Sequence, residues 1–459
     1  MCARSLRAPR SGGVARSLRL IALGSTISAC SWSRFDAVTD DSPIVLLTQP
    51  SELSQGFGFS LATARRDHQV ELLVGGGVGV SPAALYDLGD GDSPGTTSVD
   101  AGYCGKQPCY SSSSFAGFGT APGPDHDHPL CFAVGAGAFG GKGIIERCRD
   151  DFEYTLKIPD AAEAVLDSAL GAGQAQDFPL ASDRSDSPSL LASCPHARSA
   201  WFYPPHSVQF SPLEAPDKRL TDDDSFGKTL TVLNVGDGRV YAVGVANMNE
   251  VLLWKSDGGK ASSYIGCLGG TPGFGRALAG GQVNRDENAD LVVSDNVNVS
   301  VIDGLSLYDL PVTSSPDCGF ASLPAGALLD SFGCGTNKSL AGCPDSEFGA
   351  ALAVGDLDGN GDGEIIVGAP GMTVRGNSQA GALLVYDAQA ASDSSFVDAK
   401  FLSSAEAGDQ LGRALTTPRI EGRDIVRDIV VAGAPGRGKV ALFYCSTLLA
   451  AGAGGKRCP

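Results

Sequence analysis

Histidine is nearly missing from this sequence, with five in 459 residues. Chemistry that leans on imidazole, as a metal ligand or a proton shuttle, has little to work with. His126 and His128 stand together in Pro124-Asp125-His126-Asp127-His128-Pro129. No second ligand cluster accompanies them to complete a tetrahedral transition-metal site, so the segment reads as a solvated loop bounded by prolines. Long apolar runs are lacking too, and none approaches the roughly 20 residues that a membrane-spanning helix needs. No Gly-x-Ser-x-Gly elbow, phosphate-cradling glycine loop or HExxH helix occurs in the required context, so nothing points to a catalytic centre. Basic residues are few, 34 Lys and Arg against 52 Asp and Glu. That balance excludes nucleic-acid binding through phosphate neutralisation and suits solubility and the capture of divalent cations.

What is abundant is turn-forming material, 61 Gly and 26 Pro, beside a hydrophobic fraction of 42% that is ample for a core. Short strands joined by tight turns are favoured over long helices. The 13 Cys include no CxxC pair and no metal-ligand spacing, which reads as disulfide formation in an oxidising compartment. Setting aside Cys2 and Cys30 leaves an odd number, and proximity pairs Cys104 with Cys109, Cys131 with Cys148 and Cys445 with Cys458.

The first 29 residues carry Arg4, Arg7, Arg10, Arg16 and Arg19 with no acid, then the apolar run Leu20-Ile21-Ala22-Leu23 and small residues. This is a signal-peptide layout, with a tether over 30–42 to follow. Ile27-Ser28-Ala29-Cys30 resembles a bacterial lipobox, which implies acylation of Cys30; the alternative is ordinary cleavage near Ala29. Without the signal, 29 basic residues face 52 acidic ones, a net charge of −23. The expected location is extracytoplasmic, as an outer-membrane lipoprotein or a secreted protein.

The chain is organised by an internal repeat. An aromatic-Gly step leads into a small-apolar run, followed by an apolar strand ending in small residues and often Pro, and then another apolar strand. The clearest copy runs from Phe348-Gly349 through Ile365-Ile366-Val367-Gly368-Ala369-Pro370 to Ala382-Leu383-Leu384-Val385-Tyr386. Units start near residues 57, 118, 178, 226, 274, 348 and 411, with Leu411 replacing the aromatic in the last and a degenerate copy at 178. A unit of this size cannot bury its own apolar faces, so the units must stack, and radial stacking of four-stranded blades leaves only short edges. The aromatics read as core wedges, and the following Gly as a site of close backbone approach.

These motifs resemble the FG-GAP repeats of integrin α-subunit heads over nearly the whole chain from about residue 42 to 445. The resemblance implies an all-β, seven-bladed β-propeller over 43–445, in which Pro43-Ile44-Val45-Leu46-Leu47 completes the last blade, with a tail at 446–459.

Between the first two strands of the sixth unit lies Asp356-Leu357-Asp358-Gly359-Asn360-Gly361-Asp362-Gly363-Glu364. Oxygen donors fall at alternate positions with Gly between them, the pattern that turns several oxygens onto one hard cation such as Ca²⁺. By resemblance to the integrin-type loop, Asp356, Asp358, Asn360 and Glu364 are side-chain ligands and Asp362 contributes its carbonyl or carboxylate. An EF-hand would need a Glu at loop position 12, where Val367 stands. A weaker version in the fifth unit offers Asn284, Asp286, Asn288 and Asp290, with Arg285 adding a positive charge. Residues 63–71 and 420–428 lack this alternating ligand set but keep the final acid, Glu71 and Asp428.

The expected function is a non-enzymatic, calcium-binding adhesion module at the cell surface, with a protein or glycan partner. A propeller-fold enzyme and a purely structural envelope component are the alternatives.

Overall fold

The computed structural model describes residues 44–48, 56–66, 69–76, 83–88, 97–100, 115–120, 129–135, 144–148, 153–160, 162, 179–182, 189–205, 207, 209–215, 225–259, 261–315, 318, 323–334, 345–387, 396–421 and 426–443. The expected signal segment, Cys30, the tether, the tail, His126 and His128, and Cys104, Cys109, Cys445 and Cys458 lie outside them. Among the described residues no helix is long and apolar enough to cross a membrane.

The chain is an all-β propeller. Six blades are each made of four antiparallel strands consecutive in the chain. Their first strands are Ser60–Arg66, Phe115–Thr120, Leu180–Ser182, Leu230–Val235, Ala277–Gly281 and Ala351–Gly355. A further four-stranded sheet is composite: Ala414–Thr416, Val430–Ala434 and Lys439–Phe443 come from the C-terminal end and Ile44–Thr48 from the N-terminal end. The expectation of seven repeat-built blades is corrected accordingly to six, plus this closing sheet. The last repeat supplies only three strands, and the fourth is borrowed, with Ile44 paired to Phe443 and Thr48 to Lys439. The borrowed strand is the one the resemblance assigned to that place. First strands of successive blades touch in order, and Ala414–Thr416 touches both Ala351–Gly355 and Ser60–Arg66, so the ring is continuous.

Strand formation follows from composition. Second strands such as Glu364–Ala369 and Asp290–Ser294 are buried along their whole length, because each blade is covered on both faces by its neighbours. The aromatic wedges are buried: Phe57, Phe226, Phe274 and Phe348 are at most 2% exposed, and Leu411 is fully buried. Phe57 and Phe348 each meet a third-strand tyrosine of their own blade edge-on, Tyr86 and Tyr386, both at 6.3 Å between centroids. Phe118-Gly119 differs. It lies inside the strand Phe115–Thr120 rather than ahead of it, so the expected start of the second unit is displaced; a two-residue signal also arises by chance within a strand.

The glycine after the wedge has a specific task. Gly275, Gly349 and Gly412 take left-handed backbone (φ +86°, +78° and +89°), which turns their carbonyls toward the preceding blade. There they meet either a glycine or a serine of its second strand. A Cβ on Gly368 would stand 2.0 Å from the Gly412 oxygen, and one on Gly433 would stand 1.8 Å from that of Gly58. At the serine seams the hydroxyl donates instead, Ser193 to the Gly227 oxygen at 2.6 Å and Ser294 to the Gly349 oxygen at 2.7 Å. The repeat motif is thus the signature of an inter-blade seam.

Among the described residues, a disulfide crosses blades. Cys267, in the outer strand Ser263–Gly269 of the fourth blade, is bonded to Cys318, which lies between the third and fourth strands of the fifth. Thr313 of the same excursion donates its N–H to the Tyr264 carbonyl at 3.1 Å. Proximity in sequence did not propose this pair. The strand register does set Cys131 opposite Cys148, one of the pairs that proximity proposed.

Candidate metal centre

The loop Asp356–Glu364 joins the first and second strands of the sixth blade and lies beside a central cavity of about 590 Å³, whose lining includes Asp356 and Gly361. The cavity walls are first-strand residues such as Ala62, Ala181, Val232, Ala279 and Leu415. Glu287 and Asn288 of the fifth-blade loop reach the same lining, so the two acidic loops are neighbours around the axis.

In the sixth-blade loop the carboxylates of Asp356, Asp358 and Glu364 converge, with one oxygen of each within 4.8 Å of the others. Asp358 is 9% exposed and Glu364 only 1%. At an effective dielectric of about 20, each pair of carboxylate charges at that separation repels by about 3–4 kcal/mol. The loop's own backbone offsets part of this. Asn360 donates its N–H to Asp356 Oδ1 at 2.9 Å and to Asp358 Oδ1 at 3.1 Å, Gly361 donates to Asp356 Oδ2 at 3.1 Å, and Leu357 donates to Glu364 Oε2 at 2.9 Å. Gly359 and Gly361 take left-handed backbone, at φ +73° and +93°, which curls the loop around its donors. Asn360 stands between the acids, and its Oδ1 accepts from the Asp362 N–H at 2.7 Å. The Asp362 carboxylate is not among the three that converge; it forms an ion pair with Arg285 of the fifth-blade loop.

The fifth-blade loop has the same construction with different side chains. Val283 donates to Asp290 Oδ2 at 2.9 Å, as Leu357 does to Glu364. Arg285 and Glu287 occupy the two left-handed positions, at φ +61° and +68°, where the sixth-blade loop has glycine. The converging acids here are Asp286, Asp290 and Asp303. Burial pushes the Asp290 carboxyl up to about 7, against hydrogen bonds from Gly304 and Val283 and with further upward pressure from the charges of Asp286 and Asp303. The Asn284 amide donates to Asp286 at 3.3 Å and to Asp303 at 3.1 Å. Asn288 turns away, its Oδ1 accepting from Gly236 of the fourth blade at 2.9 Å.

Asp303 was not foreseen from sequence. It caps the short helix Gly304–Tyr308 by accepting from Ser306 at 2.7 Å, and register carries it to the loop, because Leu291 pairs with Ile302 and sets Asp290 beside Asp303. A signal existed: an acid ends or directly follows the third strand in four blades, as Asp87, Asp257, Asp303 and Asp387. In the first blade Glu71 pairs directly with Asp87.

Both loops are tied to their neighbours. Gly363 donates to the Gln282 carbonyl at 2.8 Å, and Asp428 donates its N–H to the Asp356 carbonyl while its Oδ2 accepts from the Asp356 N–H, both at 2.9 Å. A donor set of carboxylates, amide oxygens and backbone carbonyls is the chemistry of a hard cation, and it fits Ca²⁺ better than a metal that wants imidazole or thiolate.

No curated protein matches the chain. Among solved structures it is similar to the β-propeller domain of Myceliophteria thermophila Cps50 (Swd1), at a TM-score of 0.45 and 11% identity, over 86% of this chain and 98% of that one. Residues 348–386, which span the wedge, the acidic loop and the third strand of the sixth blade, match the FG-GAP repeat. The chain is therefore a β-propeller that carries an FG-GAP repeat around its best-formed acidic loop.

Proposed function

We propose that this protein is a calcium-binding propeller that serves as a non-enzymatic binding or adhesion module outside the cytoplasm. The observation that carries the reading is the convergence of Asp356, Asp358 and Glu364 within 4.8 Å, in a loop that the FG-GAP match contains. In this reading those three carboxylates hold the ion, with Asn360 and Asp362 adding oxygens. The fifth-blade loop is a weaker second position formed by Asn284, Asp286 and Asp290, with Asp303 in the place expected of Asn288. Bound Ca²⁺ supplies positive charge that offsets acidic repulsion and fixes one inter-blade joint. The partner is a protein or glycan at the cell surface, met by loops on a rigid scaffold. Closure as a ring of seven four-stranded sheets, counting the composite one, is the architecture on which this module rests.

Calorimetric Ca²⁺ titration of the wild type beside Asp358→Ala, with melting in calcium and in chelator, tests the reading. At a hundredfold excess over Kd, calcium should stabilise the wild type by about 2.7 kcal/mol. Asp358→Ala should lose one equivalent and most of that gain. Absence of calcium heat in the wild type overturns the metal assignment. Attachment to intact cells that survives chelation overturns the calcium-dependent adhesion role.

A further inference from the structure

The two acidic loops match position for position, and this exposes one residue that the calcium reading does not use. Arg285 stands where the sixth-blade loop has Gly359. Its backbone is left-handed, at φ +61°, a conformation that disfavours any side chain. The seventh position of each loop reaches back to the preceding blade. In the fifth-blade loop Asn288 meets a backbone N–H, that of Gly236. In the sixth-blade loop Asp362 meets the Arg285 guanidinium. The Asp362 side chain is 6% exposed and that of Arg285 is 57% exposed, so the carboxylate is fixed while the guanidinium has solvent to move into.

We propose, resting on the calcium reading above, that Arg285 is a resident counter-cation of the Asp356–Glu364 loop that sets its affinity for divalent ions. It holds Asp362 out of the ligand set and places a positive charge beside the three converging carboxylates. A divalent ion that recruits Asp362 must first displace Arg285 into solvent. Loading of the sixth-blade loop thereby releases Arg285 toward its own loop, so two adjacent blades respond to one ion.

The test is calorimetric Ca²⁺ titration of the full chain as wild type, Arg285→Gly, Arg285→Gln, Arg285→Lys and Asp358→Ala, each checked for folding by melting in chelator. Arg285→Gly removes the charge and gives the left-handed position the residue that suits it; Arg285→Gln removes the charge and keeps a side chain. Both should lower Kd by about three- to tenfold, the order expected for losing one nearby repelling charge at an intermediate dielectric. Arg285→Lys should stay near the wild type, and Asp358→Ala should lose the site. Wild type and both neutral variants binding equally, or the neutral variants binding more weakly, overturns it and leaves the calcium site standing. Binding by none of the chains overturns the calcium reading, and this proposal falls with it.

Discussion

Gly368→Ala is the sharpest test of how the blades are joined. A Cβ at residue 368 would lie 2.0 Å from the Gly412 oxygen and 2.9 Å from its carbonyl carbon. Ordinary contact begins near 3.4 Å, so the sixth blade and the closing sheet would have to separate by more than about 1 Å. Both sides of that contact are backbone, and no flexible side chain can give way. The cost should therefore lie toward the top of the range for overpacking, about 3 kcal/mol. Unfolding entropy of about 2 cal/mol/K per residue over roughly 400 residues makes each kcal/mol worth about 1 °C, so the melting temperature should fall by about 3–4 °C. Gly376→Ala is the matched control. It has φ +83° but nothing within 4 Å, so it carries backbone strain alone, about 1 kcal/mol. Scanning calorimetry of the three proteins decides the matter. If Gly368→Ala melts with the wild type, or if Gly376→Ala costs as much, close approach at the seam is not what selects glycine.

Ser294→Ala removes the hydroxyl that donates to the Gly349 oxygen and should cost about 1–3 kcal/mol by urea unfolding, since the carbonyl lies in a closed seam. Cys318→Ser opens a bridge between residues 51 apart and should cost about 2–4 kcal/mol, with new protease cleavage between residues 303 and 327. Glu406 is held below the ordinary carboxylate range first by its hydrogen bond from Lys439, then by the charges of Lys439 and Arg437. A depressed carboxyl stabilises the fold above its unfolded value and loses that contribution as pH falls through the folded one, so Glu406→Gln should flatten the acid limb of the melting curve below about pH 5. An unchanged acid limb in that variant refutes the assignment.

Much of this fold is legible because the repeat writes one physical requirement many times. Phe348, Phe274 and Phe226 are recognisable as wedges from their spacing, since each must plug the same gap between blades. The acidic loop is legible for a related reason: Asp356, Asp358, Asn360 and Glu364 are consecutive enough for their alternation to survive in one dimension. What escaped depends on pairing across distance. Asp303 reaches the fifth-blade cluster through strand register, Cys267 reaches Cys318 through an excursion over a neighbouring blade, and Asp362 finds Arg285 on a different blade. The second unit was misplaced because Phe118-Gly119 satisfies the local pattern from inside a strand. The Gly368 contact shows the same boundary: the glycine is visible in sequence, but its reason, the Gly412 carbonyl, belongs to the next repeat.

That boundary bears on where a bound ion can act. The Asp356–Glu364 loop donates to Gln282 of the blade before it, pairs with Arg285 there, and exchanges two hydrogen bonds with Asp428 on the other side. Its converging acids are thus set in a joint among three successive sheets. An ion that draws Asp356, Asp358 and Glu364 together acts on the atoms that hold those sheets in register. Its effect on stability should exceed what a ligand on an isolated turn confers, and should be largest in variants whose seams are already weakened. Gly368→Ala should therefore gain more from calcium than the wild type does, a difference that melting each protein with and without the ion will read. Equal gains in the two proteins would mean that the loop and the seam are independent.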